Sequence, residues 1–179
     1  MLSDTIPAAA YIGRAAALAE DLVRCLGAGK KMVVAAESCT AGLASDFIAR
    51  IPGASNVFWG SFVSYTPDAK QKILGVQAEL IERHGEVSRP VALAMAEGAL
   101  EKSGAFWAFS ITGVAGPGGG SEAVPVGTVW IGITGRDGNP LGCVYSDAKM
   151  FFFEGSRNEV REAASAMALQ ELLERINRT

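Results

Sequence analysis

The sequence predicts an α/β fold: a three-layer α/β/α sandwich around a mixed, mostly parallel sheet of about five or six strands. Two observations lead there. Helix-period segments alternate with short apolar, β-rich runs through the first two thirds of the chain. Two β-rich runs then follow one another directly across Asp137-Gly-Asn-Pro, as an antiparallel pair does, before a capped final helix.

The elements follow in order. Thr5-Ile-Pro-Ala opens an Ala-rich helix to about Leu26, with Pro7 in its first turn and Gly27 and Gly29 ending it. Lys31–Ala36 is the first strand. Thr40–Arg50 is helical, with Leu43, Phe47 and Ile51 on one face and Pro52-Gly53 as the stop. Val57–Tyr65 is β-rich. Thr66 caps a short helix whose first residue is Pro67, and Gln77–Arg83 and Ser88–Lys102 are further helices. Phe106–Thr112 is a third strand, and a glycine-rich loop follows it from Gly113 to Ser121. Gly127–Thr134 and Leu141–Phe153 form the hairpin, closed by Asp137-Gly138. Ser156-Arg-Asn-Glu159 is a capping box opening a helix to about Asn177.

Composition narrows the function. At 179 residues and 49% hydrophobic content, the chain is expected to build one core, a single domain over 1–179. A net charge of −3 without a basic run argues against a nucleic-acid partner. No apolar stretch reaches the ~20 residues of a membrane span, and the N-terminus lacks the pattern of a secretory signal. A cytoplasmic location is expected, with no membrane partner. Cys25, Cys39 and Cys143 are odd in number and widely spaced, which suggests reduced, buried thiols rather than a disulfide framework or a metal site. His84 is the only histidine. It reads as a cation at a helix C-terminus before Gly85, so histidine-based catalysis has little to rest on. No metal and no cofactor are expected. The sequence leaves a homo-oligomer open, since Trp59 and the Phe151-Phe152-Phe153 run suit either a core or an interface.

The chemistry concentrates at Glu37, Ser38, Cys39 and Thr40, where a buried strand hands over to a helix. In open α/β sheets ligands bind at the carboxyl ends of strands, and helix N-termini offer N–H groups to anions. Ser38 is either a helix cap or a nucleophile, and the local pattern by itself favours the cap. Residues 65–70 and 112–121 also follow strands, so parallel strands would bring all three segments to one rim. With histidine nearly absent, a lysine is the available base for Ser38, and Ser-Lys pairs are a known variant of triad logic. Lys70, near a helix start, is either that base or a solvated helix lysine. Tyr65 either relays a proton or packs with its hydroxyl at the surface. Cys39 is the weaker nucleophile candidate, with a side chain expected to turn towards the core. The loop Gly113-Val-Ala-Gly-Pro-Gly-Gly-Gly-Ser lacks the Gly-Lys-Ser/Thr of a P-loop. It either forms an N–H nest for a carbonyl or phosphate, or has no binding role.

Taken together, Ala36-Glu-Ser-Cys-Thr-Ala-Gly42, Val63-Ser-Tyr-Thr-Pro-Asp-Ala-Lys70 with Leu74-Gly-Val, and Ile111-Thr-Gly-Val-Ala-Gly-Pro-Gly-Gly-Gly120 carry a resemblance. Pro125-Val-Gly-Thr-Val-Trp130 and Phe153-Glu-Gly-Ser-Arg157…Arg161 extend it to nearly the whole chain. The sequence resembles the CinA C-terminal domain family, the PncC-like nicotinamide-nucleotide amidohydrolases.

The resemblance implies an α/β/α sandwich and hydrolysis of the carboxamide of nicotinamide mononucleotide to nicotinate mononucleotide and ammonia, in pyridine nucleotide salvage. It implies Ser38 as nucleophile and Lys70 as base, with Tyr65 and Thr112 assisting. Glu37, Cys39, Thr40, Gly42, Gly113, Ala115, Gly116, Gly118, Gly119 and Arg157 are the expected substrate-binding residues. The implied partner is a small-molecule nucleotide. The alternative is a non-catalytic nucleotide- or partner-binding module related to competence/damage-inducible proteins. Many relatives carry an additional N-terminal domain, so this chain looks like the stand-alone form. Three positions depart from the family's pattern. Ala41 stands where glycine is usual, Pro67 where Asn is common, and Ser156 where Asp is frequent.

Overall fold

The computed structural model describes residues 5–136 and 143–178, with the side chains of Cys143 and Val144 left aside. Six strands form one sheet: β1 (Ile6–Pro7), β2 (Val33–Glu37), β3 (Phe58–Val63), β4 (Trp107–Gly113), β5 (Thr128–Arg136) and β6 (Cys143–Glu154). Their order is β1-β6-β5-β4-β2-β3, and only β5 runs against the rest. The helices are α1 (Arg14–Gly29), α2 (Leu43–Ala49), α3 (Pro67–Leu74), α4 (Ala78–His84), α5 (Arg89–Ser103) and α6 (Arg157–Ile176).

The apolar runs make this sheet possible because both of its faces are covered. In β2, Val33 and Ala35 pack into a core shared with α1, α2 and α6, whereas Val34 and Ala36 pack into a second one with α3 and α5. Every residue of β2 is buried, as a central strand between two helical layers requires. The three-layer mixed sandwich expected from the sequence is the fold observed. One contact between layers is especially close. A Cβ on Gly98 of α5 would lie 2.0 Å from the Leu74 carbonyl oxygen, so only glycine lets α5 pass the end of α3.

Local signals place several elements well. Thr66 accepts a bond from the Ala69 amide at 3.1 Å with Pro67 at the first helical position of α3. Ser156 and Glu159 close the capping box of α6. His84 ends α4 before Gly85. The antiparallel β5–β6 pair forms as expected, while its Asp137-Gly138 turn and the Cys143 thiol lie outside the described residues.

Two expectations fail. The first helix does not begin at Thr5: Ile6–Pro7 pairs in parallel with Phe153 and Glu154, a single 3-10 turn follows, and α1 starts only after Gly13. Gly13 adopts φ 78°, a left-handed turn that separates the two segments. Nor does Ser38 cap the next helix. Residues 38–42 form a turn, α2 starts at Leu43, and its N-cap position is Gly42.

Candidate active site

Chain topology concentrates functional groups beyond β2. The chain leaves β2 through α2 to reach β3 on one side, and returns from β3 through α3–α5 to β4 on the other. Such a reversal opens a crevice at the carboxyl ends of the strands. Ser38 lies there, its amide donating to the Ile111 carbonyl of β4 at 2.9 Å. On the other flank, the Ser64 amide donates to the Glu37 carbonyl at 2.8 Å.

Glu37 holds the turn that presents Ser38. It is fully buried, and its carboxylate accepts from the amides of Gly42 (3.0 Å), Ala44 (3.2 Å) and Ser45 (2.9 Å) and from the Ser45 hydroxyl (2.5 Å). These are the orphan donors at the start of α2, and an anion is well placed beside them. Glu37 is therefore a helix-capping carboxylate rather than a substrate contact, which corrects the sequence expectation. Arg161 of α6 braces the same turn, donating to the carbonyls of Cys39 (3.2 Å) and Thr40 (2.9 Å). The chain turns here through Ala41 and Gly42, at φ 52° and 94°. Thr40 is buried without a hydroxyl partner, and Gly42 packs near Val63; both belong to the turn and not to the cleft.

The first turn of α3 delivers Lys70 beneath Ser38. Its side chain is fully out of solvent, and Nζ donates to Ser38 Oγ at 3.0 Å and to Glu86 Oε2 at 3.0 Å. Among the described residues the Ser38 hydroxyl has one other polar partner, the Tyr65 carbonyl oxygen at 3.5 Å, the outer limit of a hydrogen bond. Glu86 compensates the lysine charge from a half-exposed position, its side chain 45% accessible. Thr112 fixes Glu86 in turn, donating to its main-chain carbonyl at 2.9 Å. The Thr112 hydroxyl thus supports Lys70 through Glu86, its hydrogen bond going to the Glu86 carbonyl rather than to Ser38 or Lys70.

Above this pair opens a cleft of about 200 Å³, walled by Ser38, Cys39, Tyr65, Glu86 and Thr112 and by the glycine-rich loop. The expected loop residues Gly113, Ala115, Gly116, Gly118 and Gly119 all line it, and so does Arg157. Arg157 ties the two rims together, donating to the Tyr65 hydroxyl at 2.8 Å and to the Gly116 carbonyl at 2.6 Å. The Tyr65 phenol, on a half-exposed residue, is held by Arg157. Cys39 packs its side chain into the core, as expected from the sequence, and burial, with Glu37 adding to it, pushes the thiol up to about 12, so it keeps its proton. Among the described residues no group of three His, Cys, Asp or Glu side chains is arranged to hold a metal.

Besides Val114 within the glycine-rich loop, Glu86 and Val87 are the cleft residues that sequence reading missed. Glu86 and Val87 sit in the short link between α4 and α5, two and three residues past the His84 that looked like a simple capping cation. A lone carboxylate in such a link has no periodicity to mark it.

The family model of the CinA C-terminal domain matches residues 15–176. The chain belongs to this family. Among curated relatives, the CinA domain is 44% identical over 153 residues to a CinA-like protein of Mycolicibacterium paratuberculosis, covering 86% of this chain and 35% of that protein. It is 43% identical over 171 residues to a CinA-like protein of Akkermansia muciniphila, covering 94% of this chain and 40% of that protein. The chain therefore spans little more than a third of the length of these relatives. Among solved structures, competence/damage inducible protein CihA from Agrobacterium tumefaciens superposes with a TM-score of 0.84 at 40% identity, covering 92% of this chain and 96% of the other. A CinA superfamily protein from Klebsiella pneumoniae gives 0.85 at 28% identity, covering 92% and 99%. The CinA domain is thus related to competence/damage-inducible proteins in both sequence and fold. Among its described residues no helix is long and apolar enough to cross a membrane.

Proposed function

We propose that this CinA domain hydrolyses the carboxamide of a pyridine nucleotide, nicotinamide mononucleotide in the first instance, to the acid and ammonia. One observation carries the reading: a lysine nitrogen wholly shielded from water lies 3.0 Å from a serine oxygen at the floor of a cleft. Such a pair is the activated nucleophile of acyl transfer when no histidine is at hand.

In this mechanism Lys70, in its neutral form, takes the Ser38 proton as Oγ bonds to the carboxamide carbon. Backbone N–H groups at Cys39 or in the loop at Gly118 and Gly119 receive the developing oxyanion, each donor worth about 3–4 kcal/mol in known cases. The C–N bond breaks, ammonia leaves, and water releases the acid from Ser38. The cleft is small beside the ~300–1,000 Å³ usual for whole ligands, so it suits the carboxamide head. The ribose phosphate would lie across the open rim, where Arg157 offers a guanidinium. Arg161 braces the Cys39 and Thr40 carbonyls and does not line the cleft.

Ammonia release from nicotinamide mononucleotide is the test. Wild-type protein is expected to turn over, and Ser38→Ala and Lys70→Ala are expected to abolish turnover while the far-UV spectrum stays unchanged. Calorimetric binding of the nucleotide without ammonia release would replace this reading with that of a binding module.

A further inference from the structure

Lys70 contacts the nucleophile but does not reach the reaction space. Its side chain is fully buried and forms no part of the cleft wall, lying behind Ser38. A group that takes the serine proton there is badly placed to hand it to a nitrogen leaving on the cleft side. Glu86 meets both requirements. Its Oε2 is 3.0 Å from Lys70 Nζ, its side chain is 45% exposed, and it belongs to the cleft wall.

We propose that Glu86 is the general acid of this site, protonating the departing amine, while Lys70 serves only the nucleophile. The proposal rests on the amidohydrolase reading of Ser38 and Lys70.

The protons balance around a closed cycle. The resting pair is a Lys70 ammonium and a Glu86 carboxylate. Transfer of one proton from Nζ to Oε2 gives a neutral amine and a carboxylic acid, adjacent and uncharged. The Ser38 hydroxyl proton then passes to Nζ as Oγ bonds to the carboxamide carbon. On collapse the C–N bond breaks, and the leaving NH2 takes the Glu86 proton to depart as ammonia. The pair is an ammonium and a carboxylate again, and Ser38 carries the acyl group. In the second half Glu86 accepts a proton from the attacking water, and Lys70 returns one to Ser38 Oγ. Glu86 then hands its proton back to Lys70. Thr112 is a positioning residue in this scheme, since its bond to the Glu86 carbonyl at 2.9 Å fixes the link that carries the carboxylate.

Two leaving groups of unlike basicity separate the roles. Nicotinamide mononucleotide loses an amine that must be protonated, whereas an aryl ester of the same acyl group loses a phenoxide that needs no proton. Glu86→Gln keeps the side-chain shape and an oxygen to accept from Lys70. Both substrates share the acyl-enzyme whose hydrolysis also uses Glu86, so the split is read in the first turnover, at alkaline pH where hydroxide takes the Nζ proton in place of the carboxylate. Single-turnover release of ammonia by this variant is expected to fall at least ~100-fold, within the range for general acids, with the burst of phenoxide from the ester held within about threefold. Equal losses on both substrates would reduce Glu86 to a support for Lys70, and unchanged amide turnover would remove it from the reaction; either overturns the proposal. Glu86→Ala, measured alongside, is expected to show the same split. A wild-type protein that cleaves neither substrate, or only the ester, overturns the amidohydrolase reading itself, and the proposal with it. A wild type active on both with no split in Glu86→Gln defeats the proposal alone.

Discussion

Lys70 Nζ donates to Ser38 Oγ at 3.0 Å from a side chain with no accessible surface, although 32 residues separate the two in sequence. A buried lysine on one half-exposed carboxylate is kept for something other than stability, because an apolar residue of similar volume often serves a core as well or better. Lys70→Met is therefore expected to leave the melting temperature unchanged or raised by a few degrees, since the freed Glu86 carboxylate can turn to water. Ammonia release by the same variant is expected to fall at least ~1,000-fold. Thermal unfolding and a turnover assay on one preparation check both halves.

Glu37 carries the opposite balance. Its removal strands three amides and a hydroxyl at the buried start of α2. Glu37→Ala is expected to destabilise the domain by about 3–5 kcal/mol, as when one member of a buried charged network is lost. At this chain length that corresponds to a fall of roughly 10 °C in Tm. A change under about 1 kcal/mol in urea unfolding would show that the carboxylate does not hold the helix start.

Ala41 has φ 52°, where an alanine costs about 1–2 kcal/mol relative to glycine. This conformation explains why glycine is usual there in the family that the sequence resembles. Against that gain, glycine loosens the unfolded chain by about 0.4–1 kcal/mol. The strain term is the larger, so Ala41→Gly is expected to stabilise by about 0.5–1 kcal/mol. Paired urea unfolding curves for the two proteins would detect the difference, and a destabilised variant would refute it.

Burial holds the Cys39 thiol up at about 12, well above its ordinary 9.0. A raised thiol keeps its proton through the neutral range and ionises only as pH climbs towards 12. The folded protein is expected to resist iodoacetamide at Cys39 at pH 8 and to react there after denaturation. Cys39→Ala is expected to keep turnover within a few fold. Rapid labelling of the native protein, read by peptide mass spectrometry, would contradict the burial argument.

Legibility tracked the distance over which each feature is encoded. The Thr66-Pro67 start of α3 and the Ser156–Glu159 box of α6 are written in residues three apart, and both formed as expected. The strand-end positions of Ser38, Tyr65 and Thr112 were legible too, because each follows an apolar run that only a covered sheet can bury. Yet the same logic misjudged Glu37, whose carboxylate looked like a site group and caps a helix instead. It also gave Pro7 a helix start, where pairing with Glu154 makes the segment a strand. Trp59 stays half exposed on the edge strand β3, whereas Phe153 is buried. Their patterns in sequence do not tell them apart.

By itself the sequence determined the alternation of helix and strand, the family, and the segments gathered at one rim of the sheet. Those properties depend on periodicity and on caps a few residues long, so the chain carries them wherever it lies. Tertiary structure alone decided that Lys70 is buried under Ser38, that Glu86 meets it from the link between α4 and α5, and that Arg157 takes the Tyr65 hydroxyl. Each of these contacts joins elements that only the packed sheet brings within 3 Å, and no local pattern can encode a neighbour that folding alone supplies.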